Sequence, residues 1–311
     1  MANKSVRTVT LTIVKSSRLP GFHSVYWTEF RRNPDTLPAN GGISLISNQW
    51  VILAALAIVP AFGQVSNGPA ADQNERIAPR QHRPIRDRVE RGDGTATSTN
   101  WSGYAVTGTS FTSAEASWVI PTAKCSSGDQ YAAFWVGLDG YSSSTVEQTG
   151  TDSDCVGKNP SYYAWYEFYP NPSYEITSVP VKPGDAMSAK VVYSGSEFTI
   201  TITDVTTGKS YSKSASVRGA KRSSAEWIAE APSSTRGVLP LADFGTVLFG
   251  LDSTGVSSTN YATDSTTSGA IGVFPSSSIE QITMASRTET EAVPSGLSSD
   301  GTSFSVTWEA Q

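Results

Sequence analysis

Histidine is nearly missing from this chain of 311 residues: the only two, His23 and His82, fall in the first third, and nothing after residue 97 supplies another. Downstream of that point a Ser-His-Asp triad, a Cys-His pair and a histidine-ligated zinc site are therefore excluded. Cysteine is equally scarce, with Cys125 and Cys155 alone, too few for a thiolate metal cluster. No phosphate-cradling Gly-rich loop precedes a helical pattern, and no internal repeat suggests a propeller or solenoid. Proton transfer is left to carboxylates, with Lys and Tyr as outsiders, and no cofactor or metal is expected.

Positive charge is scarce too, but only after residue 95. Residues 1–95 hold 12 of the 23 Lys and Arg and 7 of the 28 Asp and Glu, so the leader carries +5 and the remainder −10. An acidic domain of this kind is poorly suited to nucleic acid or an anionic membrane, which demand clustered Lys and Arg.

The leader has its own punctuation. An apolar run, Trp50 to Val59, ends in Pro60-Ala61-Phe62-Gly63-Gln64, with small residues spaced as a signal peptidase prefers and too few apolar residues for a comfortable membrane span. The expected organisation is an N-terminal extension and signal peptide over 1–63, a basic propeptide over 64–97 and a catalytic domain over 98–311. The mature protein is thus expected to be secreted and free of the membrane. In an exported domain, one disulfide between Cys125 and Cys155 is the economical assignment, two reduced buried thiols being the alternative. The flexible polar run Gly92 to Thr99 is the expected site of leader removal.

From about Ser98 onward, short segments rich in Val, Ile, Thr, Trp, Tyr and Phe alternate with Gly, Pro, Ser and Asp clusters. Ten strands are expected: 113–119, 132–138, 161–169, 186–193, 197–204, 210–217, 223–230, 247–251, 279–284 and 303–309. The fold class is all-β, a two-sheet antiparallel β-sandwich, with a barrel as the weaker option. Gly208 is expected to supply the positive φ of a hairpin between Asp204 and Lys209.

An enzyme restricted to carboxylates has two familiar options, glycoside hydrolysis by paired acids or peptide hydrolysis at low pH. Six segments bear on the choice: Asn100-Trp101-Ser102-Gly103-Tyr104, Phe134-Trp135-Val136-Gly137-Leu138-Asp139-Gly140, Val146-Glu147-Gln148-Thr149-Gly150-Thr151-Asp152, Tyr163-Ala164-Trp165-Tyr166-Glu167-Phe168-Tyr169-Pro170, Ser224-Ala225-Glu226-Trp227-Ile228-Ala229-Glu230 and Leu241-Ala242-Asp243-Phe244-Gly245. Together, over about residues 100–310, they resemble the glutamic peptidases, also called eqolisins.

The resemblance implies a concanavalin-like jelly roll with a concave active-site face, and a catalytic dyad carried over to Gln148 and Glu226. Glu226 would act as general base on water and then as general acid to the leaving amine. Gln148 would orient that water and stabilise the oxyanion, a task suited to a neutral donor. Trp135, Asp139, Asp152, Trp165 and Glu167 are expected to line the cleft and contact substrate. Glu230 shares the face of Glu226 by strand alternation and is the competing carboxylate. Gln148 by itself reads as a turn-flanking residue, and only the resemblance singles it out. The implied protein is a monomeric acid endopeptidase acting on polypeptides and insensitive to pepstatin-type inhibitors. The opposite charges of leader and domain add the expectation that Arg76, Arg80, Arg83, Arg86, Arg88 and Arg91 hold the propeptide over the acidic cleft as its inhibitor at neutral pH, to be released in acid. A carbohydrate-active or a lectin-like sandwich is the competing reading.

Overall fold

The computed structural model describes residues 73–310 and, further upstream, the backbone of two strands, Val9–Lys15 and His23–Glu29. The expected signal peptide lies outside the described residues. Two units are present, Met1–Ser66 and Asn67–Gln311. In the first, the two strands form an antiparallel pair from Val9 opposite Glu29 to Lys15 opposite His23.

The second unit is built from two sheets. One runs, neighbour to neighbour, through Ile279–Ala285, Trp101–Thr107, Ser224–Glu230, Ala133–Leu138, Val146–Val156, Asn159–Tyr169 and Tyr174–Ile176. The other runs through Ser303–Trp308, Thr246–Gly250, Ser113–Val119, Ala186–Ser194, Glu197–Asp204 and Lys209–Ala215. These pairings are antiparallel. Thr290–Pro294 pairs with a strand of each sheet and joins them along one side. All ten expected strands are present within two or three residues at their ends, and Gly208 has φ 74°.

Period-two alternation explains how the first sheet serves two purposes. Along Ser224–Glu230, Ala225, Trp227 and Ala229 enter the large core between the sheets, with Phe134, Val136, Leu138, Tyr166 and Phe168 from neighbouring strands. Burying each large apolar side chain there contributes about 1.5–3 kcal/mol. The intervening residues point to the opposite, concave face, where Trp101, Ala133, Trp135, Tyr163, Trp165 and Ile228 make a smaller cluster. That second face holds the candidate site.

Two long strands of the first sheet are among those the sequence did not reveal. Val146–Val156 carries Gln148 in its interior rather than beside a turn, and it is buried on both faces through Cys155. Its sequence of Glu, Gln, Thr, Asp and Ser lacks the apolar alternation that marks a strand, so only its position between two neighbours reveals it. Trp101–Thr107 is likewise buried at all but its last residue. Cys125 and Cys155 form the disulfide, with Cα atoms 5.4 Å apart, and tie the far end of the Gln148 strand to the 120–130 loop.

The described residues upstream of 98 are built into this unit. Glu75–Ile77 extends the first sheet beside Tyr174–Ile176. Thr95–Ser98 pairs in parallel with Ile279–Ala285, with Ala96 and Ser98 buried. Residues 95–97, read from sequence as leader, therefore belong to the sheet in this chain, and of the expected cleavage run Gly92 and Asp93 are exposed.

Candidate functional site

Register across four strands sets out the concave face in rows. Glu226 lies opposite Gly137, Gly137 opposite Gln148 and Gln148 opposite Glu167. The next row is Ile228, Trp135, Gly150, Trp165, and the third is Glu230, Ala133, Asp152, Tyr163. Glycines are required within these rows. A Cβ on Gly150 would meet the Phe134 carbonyl oxygen at 2.3 Å and the Trp135 Cβ at 2.6 Å, and one on Gly137 would sit 3.0 Å from the Trp135 ring. Both leave room for the Trp135 indole beside Gln148.

Across these rows pass residues 81–85, from the stretch expected to be a propeptide. Its backbone is held at Gln81, which exchanges two hydrogen bonds with Ser233 (Gln81 N–H to Ser233 O at 3.2 Å, Ser233 N–H to Gln81 O at 2.8 Å), and at Ile85, whose N–H donates to Gly140 O at 3.2 Å. The Trp101 indole N–H donates to Arg83 O at 3.1 Å.

Between those anchors, the peptide group joining His82 to Arg83 is gripped at both ends. The Gln148 side-chain amide donates from Nε2 to the His82 carbonyl oxygen at 2.5 Å. The Arg83 N–H donates to Glu230 Oε1 at 3.1 Å. The other carboxyl oxygen of Glu230 accepts from the Trp135 indole at 2.9 Å. One carboxyl and one amide thus bracket one peptide bond.

His82 is fully buried and its ring lies flat on Trp165, centroids 3.5 Å apart and planes 2° from parallel. Its Nε2 is 3.1 Å from Asp152 Oδ1, its Nδ1 is 3.4 Å from Glu167 Oε2, and its backbone N–H donates to the same Glu167 oxygen at 2.7 Å. Asp152 is itself oriented by the Tyr163 hydroxyl, which donates to Oδ2 at 2.6 Å. Burial is the largest single influence on the imidazole and opposes its charge, but Asp152, Glu167 and Glu230 together outweigh it and push the His82 pKa up to about 10.

The buried acids shift the same way. Burial pushes Glu230 up to about 8, with His82 and the Arg83 N–H pulling against it. Burial also raises Glu167, and it holds Glu147 at about 9 with help from Asp139. Glu226 is raised well above the carboxylate range, again by burial.

Of the expected site residues, Gln148, Asp152, Trp165 and Glu167 converge on the His82–Arg83 peptide group or on the His82 side chain, and Trp135 reaches that group through Glu230. Glu226 and Asp139 do not. Glu226 is fully buried at the opposite end of its strand from Glu230, near Ser224, Asp139 and Glu147, and its two carboxyl oxygens are unpartnered in hydrogen-bond geometry. Asp139 holds a turn: Oδ2 accepts from the N–H groups of Lys221 and Arg222, both at 2.7 Å, and Oδ1 from the N–H and hydroxyl of Ser223, both at 3.0 Å. It fixes the start of the strand that carries both glutamates. Two site residues escaped sequence reasoning, Glu230 as the contacting acid and His82 as the occupant. Alternation placed Glu230 on the right face, and no sequence signal put His82 inside. Among the described residues no cluster of His, Cys, Asp and Glu is arranged to hold a metal.

These shifts make a pH prediction. His82 and the raised carboxyls Glu147 and Glu230 all hold protons more tightly in the fold than in the unfolded chain. Their contribution is complete below the unfolded values, about 6.5 for His and 4.3 for Glu, and is lost as pH rises through about 10, 9 and 8 respectively. The chain is expected to be most stable in acid and to lose stability from neutral to alkaline pH. Urea unfolding at a series of pH values measures this, and His82→Ala should remove part of the loss; stability that rose from pH 6 to 10 would contradict it.

An all-β sandwich with a carboxyl and a carboxamide on its concave face is the architecture these observations define. The chain belongs to the Peptidase A4 family, which matches residues 99–298. It is 31% identical over 176 residues to Aspergillopepsin-2 of Aspergillus niger, covering 49% of this chain and 62% of that protein. It is 31% identical over 185 residues to Scytalidopepsin B of Scytalidium lignicola, covering 58% of this chain and 69% of that one. A crystal structure of scytalido-glutamic peptidase with a transition state analog inhibitor shares the fold, with a TM-score of 0.56 at 24% identity over 68% of this chain and 98% of that one.

Proposed function

We propose that the chain is the precursor of a secreted, acid-acting glutamic endopeptidase whose dyad is Gln148 and Glu230, with the leader as its inhibitor. The observation that carries this reading is the bracketing of the His82–Arg83 peptide group, because its two ends are the atoms on which peptide hydrolysis acts. An amide donor aimed at the carbonyl oxygen is an oxyanion stabiliser that keeps its function at any pH. A carboxyl beside the nitrogen suits proton delivery to the leaving amine.

In this reading Glu230, not Glu226, takes a proton from the attacking water. The water oxygen bonds to the carbonyl carbon, the oxyanion is held by Gln148 Nε2, and Glu230 passes the proton to the nitrogen as the carbon–nitrogen bond breaks. Gln148 Oε1 is buried and unpartnered, leaving it able to accept from that water. The Trp135 indole keeps the Glu230 carboxyl oriented through both proton transfers. Burial is the main cause of the raised Glu230 pKa, so removing the leader and admitting water favours the ionised base and switches the enzyme on. The same contacts support inhibition, since a leader seated on both dyad residues shuts out other polypeptides.

The test is proteolysis of an unfolded protein by the purified chain at about pH 3 to 4, where carboxyl chemistry operates, with a pepstatin-type inhibitor present. Cleavage is expected. A chain that degrades nothing in acid, whether or not its leader has been removed, would return the carbohydrate-active and lectin-like readings.

A further inference from the structure

We propose that the leader lies in the cleft as a substrate, that His82–Arg83 is the first bond the enzyme cuts in its own chain, and that the pocket formed by Trp165, Asp152 and Glu167 selects a cationic side chain, histidine foremost, on the acyl side of the cut. The proposal rests on the peptidase reading above and adds to it the register and the specificity.

The register follows from the peptide group. Gln148 binds the carbonyl of His82 and Glu230 binds the N–H of Arg83, so the bond between them occupies the reacting position and His82 is the residue before it. An inhibitor that merely covered the cleft would have no reason to present a carbonyl to the amide and the following nitrogen to the acid. Main-chain bonds hold the segment on both sides of that bond: Gln81 makes a two-bond bridge to Ser233, and Ile85 bonds to Gly140, so the backbone is read whatever its side chains.

The pocket has a charge preference of its own. Its floor is the Trp165 face, which attracts a cation lying flat on it. Its walls are two fully buried carboxyl groups, one at each ring nitrogen, and Tyr163 fixes the first of them. Both ring nitrogens of an imidazolium are donors, which is what two flanking acceptors require; a neutral imidazole offers one N–H. An apolar side chain would cost Asp152 Oδ1 its bond to the imidazole and Glu167 its ion-pair partner, and an acidic one would meet two carboxyl groups. None of three leader arginines enters this pocket: Arg76 pairs with Glu175 at an exposed edge, and Arg80 and Arg88 lie over the rings of Tyr131 and Tyr141, while the Arg83 guanidinium, on the far side of the bond, donates to the Gln81 side chain. The basic residue in the centre of the cleft is the histidine, the side chain whose charge switches on between neutral and acid pH.

Cleavage consumes one water. Its oxygen joins the His82 carbonyl carbon, one of its protons passes through Glu230 to the Arg83 nitrogen, and the products are a carboxyl terminus at His82 and an amino terminus at Arg83. Burial keeps the Glu230 base mostly protonated while the leader is in place, so the self-cut is slow; a single event per molecule tolerates that. The stretch from Arg83 then remains attached through Val89–Glu90 and Thr95–Ser98 and is left for later trimming at the exposed Gly92-Asp93 turn.

The experiment follows the purified full chain by intact mass and N-terminal sequencing over about pH 3 to 8, beside Glu230→Gln and His82→Leu. The first new amino terminus is expected at Arg83, at a rate independent of protein concentration, absent in Glu230→Gln and about 10- to 100-fold slower in His82→Leu, the cost of unpairing buried charged acceptors. In parallel, after leader removal, paired synthetic peptides differing only in His, Leu or Asp before the scissile bond are compared; kcat/KM is expected to favour His over Leu by about tenfold or more, with Asp last. A first cut elsewhere with His82–Arg83 left intact, or no preference for His, in a preparation that still degrades unfolded protein, overturns this inference and leaves the peptidase reading standing. A preparation that degrades nothing overturns both.

Discussion

Glu230→Gln is expected to extinguish peptide hydrolysis, lowering kcat/KM by about 10⁴, the upper range for loss of a positioned acid and base, while Glu226→Gln stays within about tenfold of the parent. The two residues share a strand and a face, both are fully buried, and both have raised pKa values, so each substitution replaces a carboxyl that burial favours in its neutral form by a neutral isostere. Neither is expected to unfold the chain, and thermal melts check that point. The difference is one of position. Glu230 touches a peptide nitrogen and the Trp135 indole, whereas Glu226 faces Ser224, Asp139 and Glu147 at the other end of the strand. Four residues of strand separate their Cα atoms by about 13 Å, too far for either to substitute for the other. Kinetics on a leader-free preparation decide it: loss of activity in Glu226→Gln with activity kept in Glu230→Gln would return the base role to Glu226.

Gln148→Ala carries the second large effect. A carboxamide aimed at a developing oxyanion is strengthened as charge appears on the oxygen, so its removal should act on kcat, by about 10² to 10³, and little on KM. Main-chain anchors such as Ser233 and Gly140 continue to bind the polypeptide, and the loss is confined to the transition state. Gln148→Glu refines the experiment. A carboxyl there would sit beside Glu167, 3.4 Å from the present amide nitrogen, and is expected to work only where it is protonated, shifting the pH profile to acid. An equal rise in KM with kcat unchanged would instead assign Gln148 to ground-state binding.

The near absence of histidine illustrates how far a linear reading reaches. It narrowed the expected chemistry of the domain to carboxyl groups, and it also set His82 aside with the leader. In the folded chain that residue is fully buried at the centre of the site, between Asp152 and Glu167. Its role there is that of an occupant. Asp139 shows the converse: it sits in the same segment as Trp135, one of the cleft residues, but four donors from the 221–223 loop engage its carboxylate fully.

Local composition by itself determined the all-β class, the places of ten strands and the single cysteine pair. These depend on side-chain period and turn residues, which act over a few positions along the chain. Motif resemblance added Gln148, in a strand too polar to be recognised by its own pattern. Only the tertiary structure shows Glu230, and not Glu226, against the His82–Arg83 peptide group. Alternation gives two residues four apart the same face, and what distinguishes them is the group brought opposite each by strands and a leader distant in sequence. The same physical reason accounts for His82: a hydrogen bond joining residues 82 and 148, and another joining 83 and 230, arise from the closing of the chain on itself, which a one-dimensional pattern does not encode.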